Sequence, residues 1–160
     1  METTLTDAAD QLLILCRTKG WTISTAESCT GGMVAAALTE IAGSSDVMDR
    51  GFVTYTNEAK HQMVGVPMAL FETVGAVSEE VARAMAEGAR THAGVDLACG
   101  ITGVAGPGGG SDAKPVGLVQ IAVASPSRTI HERCMFVGDR HAVRLASALK
   151  ALEMMRNLAI

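Results

Sequence analysis

The nine residues Val116-Gly-Leu-Val-Gln-Ile-Ala-Val-Ala124 form an almost unbroken apolar run. Successive side chains of a strand point to opposite faces, so a run apolar at nearly every position needs cover on both sides. Val95-Asp-Leu-Ala-Cys-Gly-Ile101 has the same character, and the two runs belong at the centre of a sheet. Helical patterns surround them. Asp7 to Lys19 carries Ala8, Ala9, Leu12, Leu13 and Cys16 at helical spacing and ends at Gly20; a second helix runs from about Gly32 to Ile41 and stops at Gly43. Ser78 caps a third through about His92, with Glu79 and Glu80 at the favourable end and Val81, Met85 and Ala89 on one face, closed by Gly94. Asp139 caps the last, where Leu145, Leu149, Leu152 and Met155 make a stripe. Trp21 to Thr25 and Val47 to Tyr55, with a bend expected at Gly51, read as further strands, and short helical pieces follow Tyr55. Ser125-Pro126-Ser127 is too short for a crossover, so the strand from Thr129 to Val137 must run antiparallel to its predecessor. The expected class is α/β: a three-layer α/β/α sandwich with a mixed, mostly parallel sheet, one domain over residues 1–160 without linker or repeat.

At 160 residues, 48% hydrophobic and 19% charged, the chain is neither disordered nor membrane-spanning, and it can bury a core without disulfides or metal staples. A net charge of −4 with no basic run argues against nucleic acid as a partner. Glu2, Asp7 and Asp10 lie where a secretory signal would be basic and then apolar, so a cytoplasmic location is expected, with no membrane partner. The four cysteines show no C-x-x-C pairing, and Cys16, Cys99 and Cys134 sit in apolar stretches as core residues. His61, His92, His131 and His141 are scattered without H-x-x-x-H spacing, so neither a metal nor another cofactor is expected.

Chemistry concentrates in Ala26-Glu-Ser-Cys-Thr-Gly-Gly32, which sets two nucleophiles, Ser28 and Cys29, between a strand and a helix. Unpaired N–H groups and the positive dipole end of a helix would stabilise an oxyanion there; the alternative is an ordinary helix N-cap. The segment Gly103 to Gly110 follows a buried strand, as ligand loops do in α/β folds. It lacks Gly-Lys-Ser/Thr, and Lys114-Pro115 leads into a strand, which disfavours a nucleotide-triphosphate loop; a plain flexible turn is its other reading. Lys60 and Arg140 fall in the first turns of helices, where the dipole opposes positive charge. A neutral Lys60 would serve Ser28 as a general base and a fixed Arg140 would suit a phosphate; as the alternative, each is a solvated surface cation.

Five further signatures follow the first in order: Gly51-Phe-Val-Thr-Tyr-Thr-Asn-Glu-Ala-Lys60, Gly75-Ala-Val-Ser78, Thr102-Gly-Val-Ala-Gly-Pro-Gly-Gly-Gly110, Pro115-Val-Gly117 and Phe136-Val-Gly-Asp-Arg140. With them the chain closely resembles the CinA C-terminal domain family, whose members include stand-alone nicotinamide-nucleotide amidohydrolases, from about Leu5 onward. Some CinA proteins carry a separate N-terminal domain to which nothing here corresponds. The resemblance implies hydrolysis of the carboxamide of nicotinamide mononucleotide to nicotinate mononucleotide and ammonia. It implies Ser28 as nucleophile with Tyr55 and Lys60 as catalytic partners, and substrate contacts at Thr102, Gly103 and Arg140. We extend the expected substrate contacts to Gly106 and to Thr30, Gly31 and Gly32, the last three competing with Thr102 and Gly103 as the oxyanion site. Cys29 is intrinsically the better nucleophile, so the serine assignment rests on the family pattern and on Lys60. A homo-oligomer is expected, since small α/β enzymes often wall their sites at a symmetric interface. Two other readings remain: a non-catalytic nucleotide-binding regulatory domain, and an amidohydrolase of another small carboxamide.

Overall fold

The computed structural model describes residues 4–160. Helix α1 (Leu5–Lys19) is capped by Thr4, whose hydroxyl accepts from the Asp7 N–H at 3.0 Å, and Gly20 ends it. There follow β1 (Ile23–Glu27), α2 (Met33–Thr39), a single 3-10 turn at Ser44–Asp46, β2 (Met48–Val53), α3 (Asn57–Val64) and α4 (Met68–Thr73). The second half comprises α5 (Glu79–Ala93), β3 (Leu97–Gly103), β4 (Leu118–Ala124), β5 (Thr129–Met135) and α6 (Arg140–Ala159). Ser78 and Asp139 cap α5 and α6 through their side-chain oxygens, as their sequence positions suggested.

The strands form one sheet in the order β2-β1-β3-β4-β5. β1 is parallel to both β2 and β3, whereas β4 is antiparallel to β3 and β5. The sheet is therefore mixed: β4 alone is reversed, although pairings of the two kinds are equal in number. Expected and observed strands differ mainly at their ends; the irregularity in β2 falls at Asp49, where the pairing skips from Ile23↔Met48 to Ser24↔Arg50, two residues before Gly51.

The two faces of the sheet are packed differently, and the alternation along β3 and β4 explains it. Leu97, Cys99, Ile101, Val119, Ile121 and Val123 join α1, α2 and α6 in one large core. Ala98, Gly100, Ala122 and Ala124 point the other way, toward α5 and its Ala82, Ala86 and Ala89. Small residues let α5 approach so closely that a Cβ at Gly100 would lie 2.4 Å from the Ala82 carbonyl oxygen. The one polar side chain inside β4, Gln120, accepts through Oε1 from His131 Nε2 at 2.7 Å on β5. In α6 the expected leucine stripe is rotated: Leu145 is 40% exposed, while Val143, Ser147, Ala148, Ala151, Leu152 and Met155 face inward. The cause is that α6 packs against α1 as well as the sheet, so small residues take the tight central positions. Among the described residues no helix is long and apolar enough to cross a membrane.

Candidate active site

Parallel alignment brings the carboxyl ends of β1, β2 and β3 to one edge, where α/β sheets open a crevice. Ser28 follows β1 directly and its N–H continues the ladder to the Ile101 carbonyl at 3.0 Å. Thr54 and Tyr55 follow β2, with the Thr54 N–H on the Glu27 carbonyl at 2.8 Å. Thr102 and Gly103 end β3. Lys60, the fourth residue of α3, reaches into this junction: its Nζ lies 3.0 Å from Ser28 Oγ and 3.1 Å from the Tyr55 carbonyl oxygen. Lys60 is 2% exposed, and no carboxylate pairs with it among the described residues. Burial holds its pKa below the ordinary lysine value, with Cys29 pulling weakly the other way. Desolvation, invoked from sequence beside the helix-end field, is thus the leading cause. In the neutral amine the same contact reverses, the serine hydroxyl donating to the Nζ lone pair. Burial also pushes the neighbouring Cys29 thiol up to about 11, so at neutral pH it is neither a nucleophile nor an anion.

Two charged side chains absent from the sequence-based site hold the turn that carries Ser28. Glu27 is wholly buried and accepts from Thr30 Oγ1 at 2.7 Å, the Val34 N–H at 2.9 Å, the Ala35 N–H at 3.0 Å and Thr25 Oγ1 at 3.3 Å. Because the N-cap residue Gly32 has no side chain to offer, this carboxylate from the preceding strand takes the cap's place at the start of α2. From the opposite side Arg144 of α6 donates through Nε to the Cys29 carbonyl at 2.9 Å and through Nη2 to the Thr30 carbonyl at 3.2 Å.

The cleft in front of Ser28 has a volume of about 280 Å³. Thr102 to Gly106, with Gly108 and Gly109, form one wall, and Ala76 and Val77 from the α4–α5 connection form another. Thr102 Oγ1 donates to the Ala76 carbonyl at 2.9 Å, and Lys114 Nζ donates to the Val74 carbonyl, so this second wall hangs from β3 and from the far end of the Gly-rich loop. Tyr55, Asn57 and Arg140 stand at the mouth. Arg140 donates to the Gly106 carbonyl at 2.7 Å and to the Tyr55 hydroxyl at 3.1 Å. Among the described residues no aspartate or glutamate lines the cleft, which therefore favours an anionic ligand.

The structure thus brings together Ser28, Tyr55, Lys60, Thr102, Gly103, Gly106 and Arg140. Thr30, Gly31 and Gly32 lie behind the cleft instead: the Thr30 hydroxyl is spent on Glu27, and the two glycines turn the chain into α2 with φ of 59° and 103°. Tyr55 offers its carbonyl to Ser28 and Lys60, while its phenol points to Arg140. Sequence reasoning missed Glu27, Asn57, Arg144 and the Ala76–Val77 wall. The available signal for Arg144 was its spacing, one helical turn past Arg140 in a helix with no acid in its first turn. Among the described residues no three His, Cys, Asp or Glu side chains are grouped to hold a metal ion.

Comparison with known proteins identifies the family and shows the same fold. The profile of the CinA C-terminal domain matches residues 5–159. A protein named "CinA-like protein" from Geobacter sulfurreducens is 52% identical over 142 residues, covering 89% of this chain and 34% of its own length. The chain spans about a third of the length of several such curated relatives. A protein named "Nicotinamide-nucleotide amidohydrolase PncC" from Enterobacter agglomerans is 50% identical over 138 residues, covering 86% of this chain and 84% of its own. The crystal structure of the competence/damage inducible protein CihA from Agrobacterium tumefaciens superposes with a TM-score of 0.96 at 45% identity, covering both chains completely.

Proposed function

We propose that this chain, which belongs to the CinA C-terminal domain family, hydrolyses the carboxamide of nicotinamide mononucleotide to nicotinate mononucleotide and ammonia. The observation that carries the reading is the buried 3.0 Å contact between Ser28 Oγ and Lys60 Nζ at the floor of an acid-free cleft. The amide nitrogen's loss requires a nucleophile, a proton acceptor and an oxyanion site. Ser28 Oγ attacks the carboxamide carbon as its proton passes to Lys60. The resulting ammonium returns that proton to the departing nitrogen, and ammonia leaves an acyl-enzyme. Water attacks in turn, its proton going to Lys60, and Ser28 is regenerated with the carboxylate product.

The Gly103 N–H supplies the oxyanion contact in this scheme. The Val104 N–H is bonded to the Leu118 carbonyl, and the alternation of the antiparallel ladder turns the Gly103 N–H toward the β1 side, beyond the last β1 pairing at Glu27↔Ile101. Arg140 takes the ligand phosphate with the N–H groups left free by Gly106 and Tyr55. The similarity to the relative named as a nicotinamide-nucleotide amidohydrolase supports the substrate. The test is to incubate the purified chain with nicotinamide mononucleotide and a chelator and to measure ammonia, with Ser28→Ala as control.

A second reading has its own support. The chain matches about a third of longer relatives, some named "Putative competence-damage inducible protein", which suits a nucleotide-binding regulatory domain. Saturable binding of the mononucleotide by calorimetry, with no ammonia released, would select that reading.

A further inference from the structure

Arg144 is an arginine without a carboxylate partner among the described residues, one helical turn into α6. Both of its hydrogen bonds go to successive carbonyls, those of Cys29 and Thr30, immediately after Ser28. A peptide's N–H points opposite its C=O, so fixing these two carbonyls outward turns the Thr30 and Gly31 N–H groups inward. The Gly31 N–H indeed donates to the Ser28 carbonyl at 3.0 Å. Gly31 also leaves room for the guanidinium: a Cβ there would sit 3.1 Å from Arg144 Nη2, on a backbone already at positive φ.

From this geometry we infer that Arg144 is a positioning residue for the nucleophile, a two-point clamp that fixes the turn so that Ser28 Oγ stays within reach of Lys60. The inference rests on the reading of Ser28 as nucleophile and is independent of which amide is the substrate. Arg144 lines no part of the cleft. Its removal lets the Ser28–Thr30 peptides rotate, which lowers the fraction of molecules with the reacting atoms in line. A lysine at this position keeps the charge and loses the fork.

The experiment follows Ser28 itself. An alkyl fluorophosphonate forms an Oγ–P bond to the serine with fluoride leaving and the proton going to Lys60, and intact mass reads the rate. Arg144→Ala should slow labelling about thirtyfold and Arg144→Lys about tenfold, with the pH midpoint of the rate unchanged because the Lys60 shift comes from burial and Cys29, not from Arg144. Millimolar guanidinium should speed the alanine variant severalfold and leave the wild type untouched. With nicotinamide mononucleotide, kcat should fall in parallel while KM stays within about threefold. Wild-type labelling rates in either variant, a raised KM at constant kcat, or a shifted pH midpoint that accounts for the loss would overturn the inference. Should Arg144→Ala fail to fold, Arg144→Lys decides on the same criteria. A wild type labelled at Ser28 but unable to release ammonia removes the proposed substrate and leaves the clamp standing; an unlabelled wild type removes both.

Discussion

Lys60 concentrates the physics of the site in one side chain. A lysine in water titrates near ~10.4, leaving almost no free base at neutral pH. Burial lowers the value in the folded protein, which supplies base and costs stability together. By linkage, with the folded pKa below the unfolded one, the cost is complete below the folded pKa, shrinks between the two values and is gone above the unfolded one. Lys60→Met should therefore abolish ammonia release while raising the urea midpoint at neutral pH, and that gain should shrink as pH approaches 10. A basic limb of kcat/KM lying at the ordinary lysine value would contradict the role. Next to it, Ser28→Ala should remove turnover, whereas Cys29→Ala should keep most of it, because a thiol pushed to about 11 is protonated at working pH. Rapid inactivation by iodoacetamide at pH 7 would reverse that assignment. Ser28 and Lys60 were legible in the chain because each sits in one of the local motifs that carry the family resemblance, Ser28 between a strand and a helix and Lys60 in the first turn of α3. Glu27 and Arg144 were not, since most of their partners are backbone groups that only the folded turn presents.

At the scale of elements, β1 and α2 are joined through one carboxylate. Glu27→Ala would leave the Thr30 hydroxyl and the Val34 and Ala35 N–H groups without their acceptor, at a cost of about 3–5 kcal/mol in urea unfolding. Glu27→Gln keeps one acceptor and should lose about half as much. Equal midpoints for wild type and Glu27→Ala would show that α2 does not depend on this cap. Helix α6 is the other connector, since Arg140 bridges the Gly106 carbonyl and the Tyr55 hydroxyl. Arg140→Ala should raise KM for the mononucleotide about tenfold or more and matter much less for nicotinamide riboside, which lacks the phosphate. An equal loss on both substrates would mean that the bridge, and not an anion contact, is what counts. The helices and strands themselves were readable from period and caps, and β5 from the three-residue turn before it. The rotation of α6 was not, because a leucine count cannot show that the helix must nest against α1 with alanines.

For the whole molecule, the candidate site gathers at one end of the sheet, and the mouth there is open on the side of Tyr55, which is 60% exposed. We expect copies of the chain to associate, so light scattering should report a multiple of 16.5 kDa. A monomer at all concentrations would leave the mouth open to solvent as it stands. The grip of α6 on two sides of the cleft also sets what can be changed separately. A graft that lengthens the Gly-rich wall pulls on Arg140, and four residues later on Arg144, so it drags Ser28 and Lys60 out of register. The 74–77 segment hangs instead from Thr102 and Lys114. It is the interchangeable part of this molecule, where exchange between relatives would recut ligand fit and leave the chemistry in place.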